Sequence, residues 1–506
     1  MKKIYFNEDN EHFYACHPVS DMTEEGVRRL VDTYAETGTI KGLLFCANMQ
    51  RALYDSDVWE RFSDIDDDGP YVQNLKLLSK RGIDHFAVWL KRSKELGIEN
   101  WLTMRMNDSH GLKEADRNML ECHHNKWPSE KWRRSRQLRR APYRSERSWE
   151  GSYNYLLQEV RDHHLALIEE LFERYDMFGL EMDWMRWGMM FAPGFEREGQ
   201  KLLTEFVIRV RELADAAEKR YGHPVKLAHR VPANPESCLN LGFNVIEWGE
   251  NGCVDMLTLS DFLGSNTFDP PLALWRKLLP EHTTINVYVS QFGPAYPGNS
   301  IDTDDILRGA ASSSWSNGAD GLYLFNECYR ETDKIEELNN LLTEISDPEK
   351  LIKSRRRFPT GYTQAIAAGE STRNTLPVPL KQKCIGVNYG RMEENITCRL
   401  AAGKVLPDST CTLSLGFSPD TDPEKIMGIT VRVNTKLLPE GEWKLLPPDR
   451  IEPNNPFQSL EDYPREVGLV YTVEVPVELL HETFNAIEIM PPQIPGSLTW
   501  TDFAIS

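Results

Sequence analysis

Eight times within the first 350 residues a short apolar run gives way to an amphipathic helical pattern, the alternation that lays down a parallel sheet. The expected strands are Phe13–Pro18, Gly42–Asn48, Asn100–Asp108, Gly179–Trp187, Val225–Ala233, Asp255–Phe262, Ile285–Phe292 and Gly321–Glu327. The helices that follow are expected over Glu24–Thr37, Asp84–Leu96, Leu157–Tyr175, Glu198–Tyr221, Pro235–Glu250, Pro270–Glu281, Thr303–Asn317 and Asp333–Ile345. Gly38, Gly97 and Gly222 stand just past three of them, where a left-handed residue ends a helix at little cost. Eight such units predict an α/β chain closed into a (β/α)8 TIM barrel, whose functional face lies at the C-terminal ends of the strands. A doubly wound open sheet would require a Gly-x-Gly-x-x-Gly turn after an early strand, and the sequence has none.

Beyond the barrel the period changes. Asp347 to Pro359 is polar and basic and is expected as a connector. Ile396–Leu400, Cys411–Gly416, Gly428–Asn434, Val470–Val477 and Phe484–Met490 alternate in steps of two between segments rich in Pro, Gly, Asp and Asn. The expected organisation is a barrel over residues 1–350, a linker over 351–360 and a smaller all-β sandwich of jelly-roll type over 361–506. A chain of 506 residues is too long for a single core.

A net charge of −19 offers no basic footprint for nucleic acid. No apolar run approaches the roughly 20 residues of a membrane helix, and the N-terminus turns acidic before a signal-like run forms, so a cytoplasmic location is expected for the sequence as written. The 9 cysteines include no Cys-x-x-Cys pair, so neither a disulfide framework nor a zinc motif is implied.

The segment Gly179-Leu180-Glu181-Met182-Asp183-Trp184-Met185-Arg186 carries the most chemistry. On a strand Leu180 and Met182 point one way and Glu181 and Asp183 the other, and the helix-covered outside of a barrel takes the apolar pair. Two inward carboxylates about 7 Å apart along the backbone raise each other's pKa and resist burial. Paired carboxylates of this kind suit glycoside hydrolysis, with Asp183, nearer the mouth, the stronger catalytic candidate and Glu181 one layer deeper. A structural ion network with Arg186 or Arg105 is the alternative. An arginine clasp that put Asp183 out of a ligand's reach would count against hydrolysis.

Arg105-Met106-Asn107-Asp108-Ser109-His110 closes the third strand, with Arg105 expected inward and Asp108 at the rim as a candidate acid. Asn107 and His110 are candidate substrate contacts, although Asn-Asp-Ser is also ordinary turn chemistry. Other strand ends contribute Asn48, Gln50, Arg51, His229, Arg230, Asp261, Gln291, Asn326 and the carboxylate of Glu327. Trp184, Trp187, Trp315 and Tyr329 are candidate flat platforms for sugar rings. The second carboxylate beside Asp183 is left open among Asp108, Asp261 and Glu327.

The connection Lys131–Arg144 concentrates guanidinium groups that would suit an anionic sugar, or would pair with the acidic surface. The pairs His123-His124 and His163-His164 lack the i, i+4 spacing of a helical metal site, and Asp64–Gly69 lacks the closing glutamate of a calcium loop.

With Cys46-Ala47-Asn48-Met49-Gln50-Arg51, Arg105-Met106-Asn107-Asp108, Gly179–Arg186 and His229-Arg230-Val231-Pro232-Ala233 together, residues 10–345 resemble the bacterial glycoside-hydrolase-like TIM-barrel proteins. The resemblance implies the fold and a broad class, not a defined reaction, and Asp183 is the position it carries over as catalytic; a carbohydrate substrate and no cofactor are expected. The C-terminal part is similar in general form to the jelly-roll domains that accompany such barrels. A non-catalytic carbohydrate-binding barrel and a metal-assisted lyase or hydrolase with Glu181, Asp183 and His229 as ligands are the competing expectations.

Overall fold

Lys3-Ile4-Tyr5-Phe6-Asn7-Glu8 centres on three consecutive apolar residues, and in the computed structural model this hexapeptide, not Phe13–Pro18, is the first barrel strand. Ile4 and Phe6 join the large core between sheet and helices, while Tyr5 belongs to a separate cluster inside the barrel. Phe13 and Tyr14 are buried on a short helix, α1 (Glu11–Cys16). Their apolar character therefore reflects a helix face covering the barrel and not a strand within it.

The structure describes residues 2–119, 122–145, 147–260, 266–290, 303–325, 327–360, 378–380, 396–438, 443–446, 468–490, 492 and 494–506. Eight parallel strands close in sequence order: β1 (Lys3–Glu8), β2 (Ile40–Cys46), β3 (Glu99–Arg105), β4 (Gly179–Asp183), β5 (Lys226–Pro232), β6 (Met256–Ser260), β7 (Thr284–Val289) and β8 (Gly321–Phe325). β8 pairs with β1 to complete the ring, with Lys3 opposite Gly321 and Asn7 opposite Phe325. The strands stop earlier than expected, and β4 ends at Asp183, so Trp184 to Trp187 belong to the loop above it. The helix expected over Pro235–Glu250 is two helices, Pro235–Leu241 and Val245–Glu250, parted at Gly242, whose φ of 91° suits glycine.

Inside the barrel Tyr5, Leu44, Trp101, Ala228, Met256, Tyr288, Tyr323 and Phe325 pack as one cluster. Gly179 makes room for it, because a Cβ there would stand 2.3 Å from the Trp101 ring and 2.6 Å from the Lys226 carbonyl oxygen. The floor of the barrel is thus filled, and the polar side chains are left to the upper layers.

The connector is shorter than expected. β9 (Arg356–Thr360) pairs antiparallel with the last strand, so five residues assigned to a linker belong to the second fold unit. That unit has two antiparallel sheets. One runs β10 (Val378–Pro379), β18 (Ser497–Ile505), β12 (Cys411–Phe417), β16 (Leu469–Glu474) and β15 (Lys444–Leu446), with β9 also on β18; the other runs β11 (Ile396–Leu400), β17 (Asn485–Met490), β13 (Thr430–Val433) and β14 (Lys436–Leu437). The fold is therefore a TIM barrel followed by a smaller β-sandwich. The barrel helix Thr303–Ser316 lies on β9 so closely that a Cβ on Gly309 would meet the Arg357 carbonyl at 2.1 Å. Ser312 and Ser313 on that helix donate to the Ala402 and Ala401 carbonyls, and buried Arg356 donates to Ser312 and Ala402. These bonds couple the sandwich to the barrel wall. Among the described residues no helix is long and apolar enough to cross a membrane.

Candidate functional site

Period two along β3, β4 and β5 turns Thr103, Arg105, Glu181, Asp183, Ala228 and Arg230 to the barrel interior, and the register sets Arg105 beside Asp183 and Asp183 beside Arg230. Arg230 lies side-on to Asp183, Nε to Oδ1 and Nη2 to Oδ2, both at 2.9 Å. The backbone N–H of Met185 also donates to Oδ1, at 2.9 Å. Asp183 is therefore clasped by arginine and only 2% exposed. The expectation of a network with Arg186 or Arg105 is corrected to Arg230: Arg105, though in register with Asp183 on β3, and Arg186 both turn to Asp9.

One layer down, Glu181 Oε1 accepts from Thr103 (2.8 Å) and from the Tyr323 hydroxyl (2.6 Å), which itself accepts from Asn7. Burial and the Asp183 charge push the Glu181 carboxyl up to about 7, against the opposing pull of Tyr323 and Arg230. Its Oε2 has no partner among the described residues. Deeply buried, Glu181 acts on the electrostatics of the mouth from below.

The strand-end arginines form a chain. Arg105 donates to Asp108 (2.9 Å) and to Asp9, and Arg186 reaches Asp9 from the other side at 3.0 Å. Although burial opposes it, the Arg105 and Arg186 charges hold the Asp9 carboxyl down at about 2. Burial likewise opposes, and His110 and Arg105 overcome, so that Asp108 stays far below the usual carboxylate range. Arg186 and Arg230 both lie over the Phe325 ring, at 4.3 and 4.6 Å. Asp9 is not among the expected site residues, since the expected first strand starts ten residues after the observed β1; the alternation of Tyr5, Asn7 and Asp9 is the signal that points to it.

His110 is the most exposed titratable group of this cluster, with 23% of its side chain open. Asp108 accepts from its backbone N–H and stands 2.9 Å from its Nδ1. That contact orients the ring and leaves Nε2 as the atom able to meet a ligand. Beside it Trp187 stacks on Trp149, centroids 5.6 Å apart, and the His110 ring lies 5.9 Å from Trp187.

Several expected contacts serve the framework instead. Asn48 bridges β2 and β3, donating to the Arg105 carbonyl and accepting its N–H. Asn107 clips two loops through Tyr153 and the Met189 carbonyl. Arg51 is held by the Trp127 and Pro128 carbonyls and Glu60, and Gln50 is buried beside it in the chain. Glu327 is fully buried and paired with Arg330 at 3.2 Å. Trp184 and His229 bond one another on the outer side of the sheet, packed against Trp248, so neither faces the mouth and His229 cannot share a metal with Glu181 and Asp183. Trp315 is at the opposite end of the barrel, donating to the Ile345 carbonyl with Lys2 over its ring. Asp261, Gln291, Asn326 and the Tyr329 side chain lie outside the described residues.

The basic connection is also internally satisfied. Arg136 and Arg139 pair with Asp116, Arg134 with Glu130, Arg144 with Glu150 and Lys131 with Glu159, while Arg133 and Arg140 donate to main-chain carbonyls. Each of these cations thus has a protein partner, although the pairs of Arg134 and Arg136 are exposed and weak.

Fold and site together define a TIM-barrel protein whose mouth is lined by guanidinium–carboxylate pairs under an aromatic rim. No family model and no curated protein matches the chain. Among solved structures it is similar to α-L-fucosidase isoenzyme 2 from Paenibacillus thiaminolyticus, with 13% identity and a TM-score of 0.45 over 71% of this chain and 51% of that one. The chain thus spans about half the length of that fucosidase. It is also similar to the endo-β-1,4-mannanase from Thermotoga petrophila, with 9% identity and a TM-score of 0.37 over 98% of this chain and 97% of the other. A third is the GH36 α-galactosidase from Geobacillus stearothermophilus, with 11% identity and a TM-score of 0.35 over 97% of this chain and 55% of the other.

Proposed function

We propose that the chain is a glycoside hydrolase in which Asp183 supplies the negative charge at the reaction centre and His110 exchanges the proton. What supports this reading is the position of Asp183, a carboxylate on the mouth end of β4 turned inward between Arg105 and Arg230; its clasp by Arg230 and its 2% exposure count against it, so hydrolysis requires a bound sugar to draw Arg230 off the carboxylate. Such a pair requires the carboxylate ion, which is an acceptor only and so serves as nucleophile or base, never as proton donor. Among the described residues, three of its roughly four acceptor positions are taken, by Arg230 Nε, Arg230 Nη2 and Met185 N, which leaves one on Oδ2. That remaining lone pair either attacks the anomeric carbon or takes a proton from water.

The proton for the departing sugar oxygen comes from His110, whose ring Asp108 orients through Nδ1. Trp149, partly exposed and backed by the Trp187 ring, gives a sugar ring an apolar surface near that imidazole. The sandwich acts as a brace for the barrel wall through the helix Thr303–Ser316.

A second reading has its own support. Asp9, Asp108 and Asp183 are all paired with arginine, and Asp183 is nearly buried, as suits a carbohydrate-binding barrel without turnover. Incubating the chain with a panel of neutral and acidic oligosaccharides and aryl glycosides separates the two. Release of reducing ends by the wild type supports the hydrolase, and saturable binding with no release across the panel supports the binding protein.

A further inference from the structure

Behind the mouth, between barrel and helices, lies a cluster that the proposed chemistry does not use. It joins Glu8 at the end of β1, His12 on α1, His17 just beyond it, and Cys328 and Glu331 after β8. Glu8, His12 and Cys328 are fully buried, and Glu331 and His17 nearly so. One ligand atom from each of Glu8, His12 and Cys328 falls within 4.8 Å of the others, and the same holds for His12, His17 and Glu331.

The orientation of the two imidazoles is the telling feature. His12 turns Nδ1 to Glu8 Oε1 at 2.8 Å, and His17 turns Nδ1 to Asp21 Oδ2 at 3.1 Å. Both then point Nε2 at the same atom, Glu331 Oε2, at 3.6 and 2.8 Å. A ring nitrogen backed by a carboxylate while its opposite nitrogen converges with other donors is the arrangement of metal-binding histidines, where the outer carboxylate fixes tautomer and direction. Donor atoms sharing one ion at 2.0 to 2.3 Å stand roughly 3 to 4 Å apart, close to the spacing found here. An ion-pair network has no need for both rings to turn the same nitrogen to one oxygen, and it leaves three carboxylates around two imidazoles.

We infer that His12, His17 and Glu331 form a site for a divalent transition-metal ion of the zinc type. Imidazole and carboxylate donors suit that class. The ligands come from the first and last connections of the barrel, so the ion ties together the seam where β8 meets β1. Asp9 lies three residues before His12, and the ion thereby steadies the loop that carries this mouth carboxylate. The role is structural and independent of whether the mouth hydrolyses glycosides.

The test uses the full chain, purified without added metal and analysed for bound metals, then stripped with chelator and titrated with Zn2+ alone while the melting temperature is followed. About one equivalent of bound Zn2+, with a melting temperature that falls on stripping and returns with Zn2+, is expected. Asp21→Asn, which meets the site through the outer nitrogen of His17, should weaken Zn2+ binding about tenfold or more, and His17→Gln and Glu331→Gln should weaken it further. Should a variant fail to fold, the wild-type titration still decides. A stripped protein whose melting temperature ignores Zn2+, or stoichiometric binding that survives both His17→Gln and Glu331→Gln, overturns the site.

Discussion

Arg230 on β5 and Asp183 on β4 face each other across adjacent strands as a side-on pair, 2.9 Å at each bond, at the C-terminal mouth of the barrel. Breaking one half of a buried pair strands the other charge, whereas replacing both removes the desolvation cost with the attraction. Arg230→Met is therefore expected to lower unfolding stability by about 3 to 5 kcal/mol, and Asp183→Leu combined with Arg230→Met by less than Arg230→Met alone. Denaturant unfolding of the two variants beside the wild type checks this, and a double variant at least as unstable as Arg230→Met would contradict it.

Glu181 gives the molecule a slope of stability with pH. Its folded value of about 7 lies above the ordinary 4.5, so between those values the folded chain keeps a proton that the unfolded chain has released. The contribution is fully present below about pH 4.5, declines as pH rises and is lost above about 7, by no more than about 3 kcal/mol. Glu181→Gln should remove that decline and unfold at higher urea than the wild type at pH 8, with little difference at pH 4.5. Asp9, held down at about 2, acts only on the acid side, where its stabilisation is lost as pH falls from about 4. An unchanged slope in Glu181→Gln would show that the carboxyl is not perturbed.

If His110 moves the proton, His110→Gln should lower turnover by roughly 10² to 10⁴ and remove one limb of the pH–rate profile, while changing stability by less than about 1 kcal/mol because the side chain is partly open. A variant that keeps both limbs assigns the proton to another group.

The aromatic rim should act on binding more than on chemistry. Trp149→Ala removes one of two stacked rings and is expected to raise KM about 3- to 10-fold with kcat nearly unchanged. Equal loss in kcat and kcat/KM would place this ring in the transition state instead.

What the sequence disclosed was governed by period. Alternation along β3 and β4 places Arg105, Glu181 and Asp183 inside the barrel without reference to any other strand, and seven of the eight expected strands overlap the observed ones. The same alternation sends Trp184 and His229 outward, away from the mouth where proximity to the strand ends had suggested them. The identity of Asp183's partner depends on the stagger between β4 and β5, a property of barrel closure that no single segment encodes. β1 escaped notice because Lys2 and Lys3 give its start a polar look, and Asp9 went with it. Trp315 lies at the end of a helix that returns to the floor, a direction invisible to a count of residues near strand ends.

The most direct measurement compares Asp183→Asn with the wild type on the best glycoside from the panel, recording kcat/KM and the dissociation constant of the same sugar. The account expects hydrolysis by the wild type, a fall of at least about 10³-fold in the variant and affinity within a few-fold. Equal hydrolysis by both proteins, or tight binding with hydrolysis by neither, would contradict it.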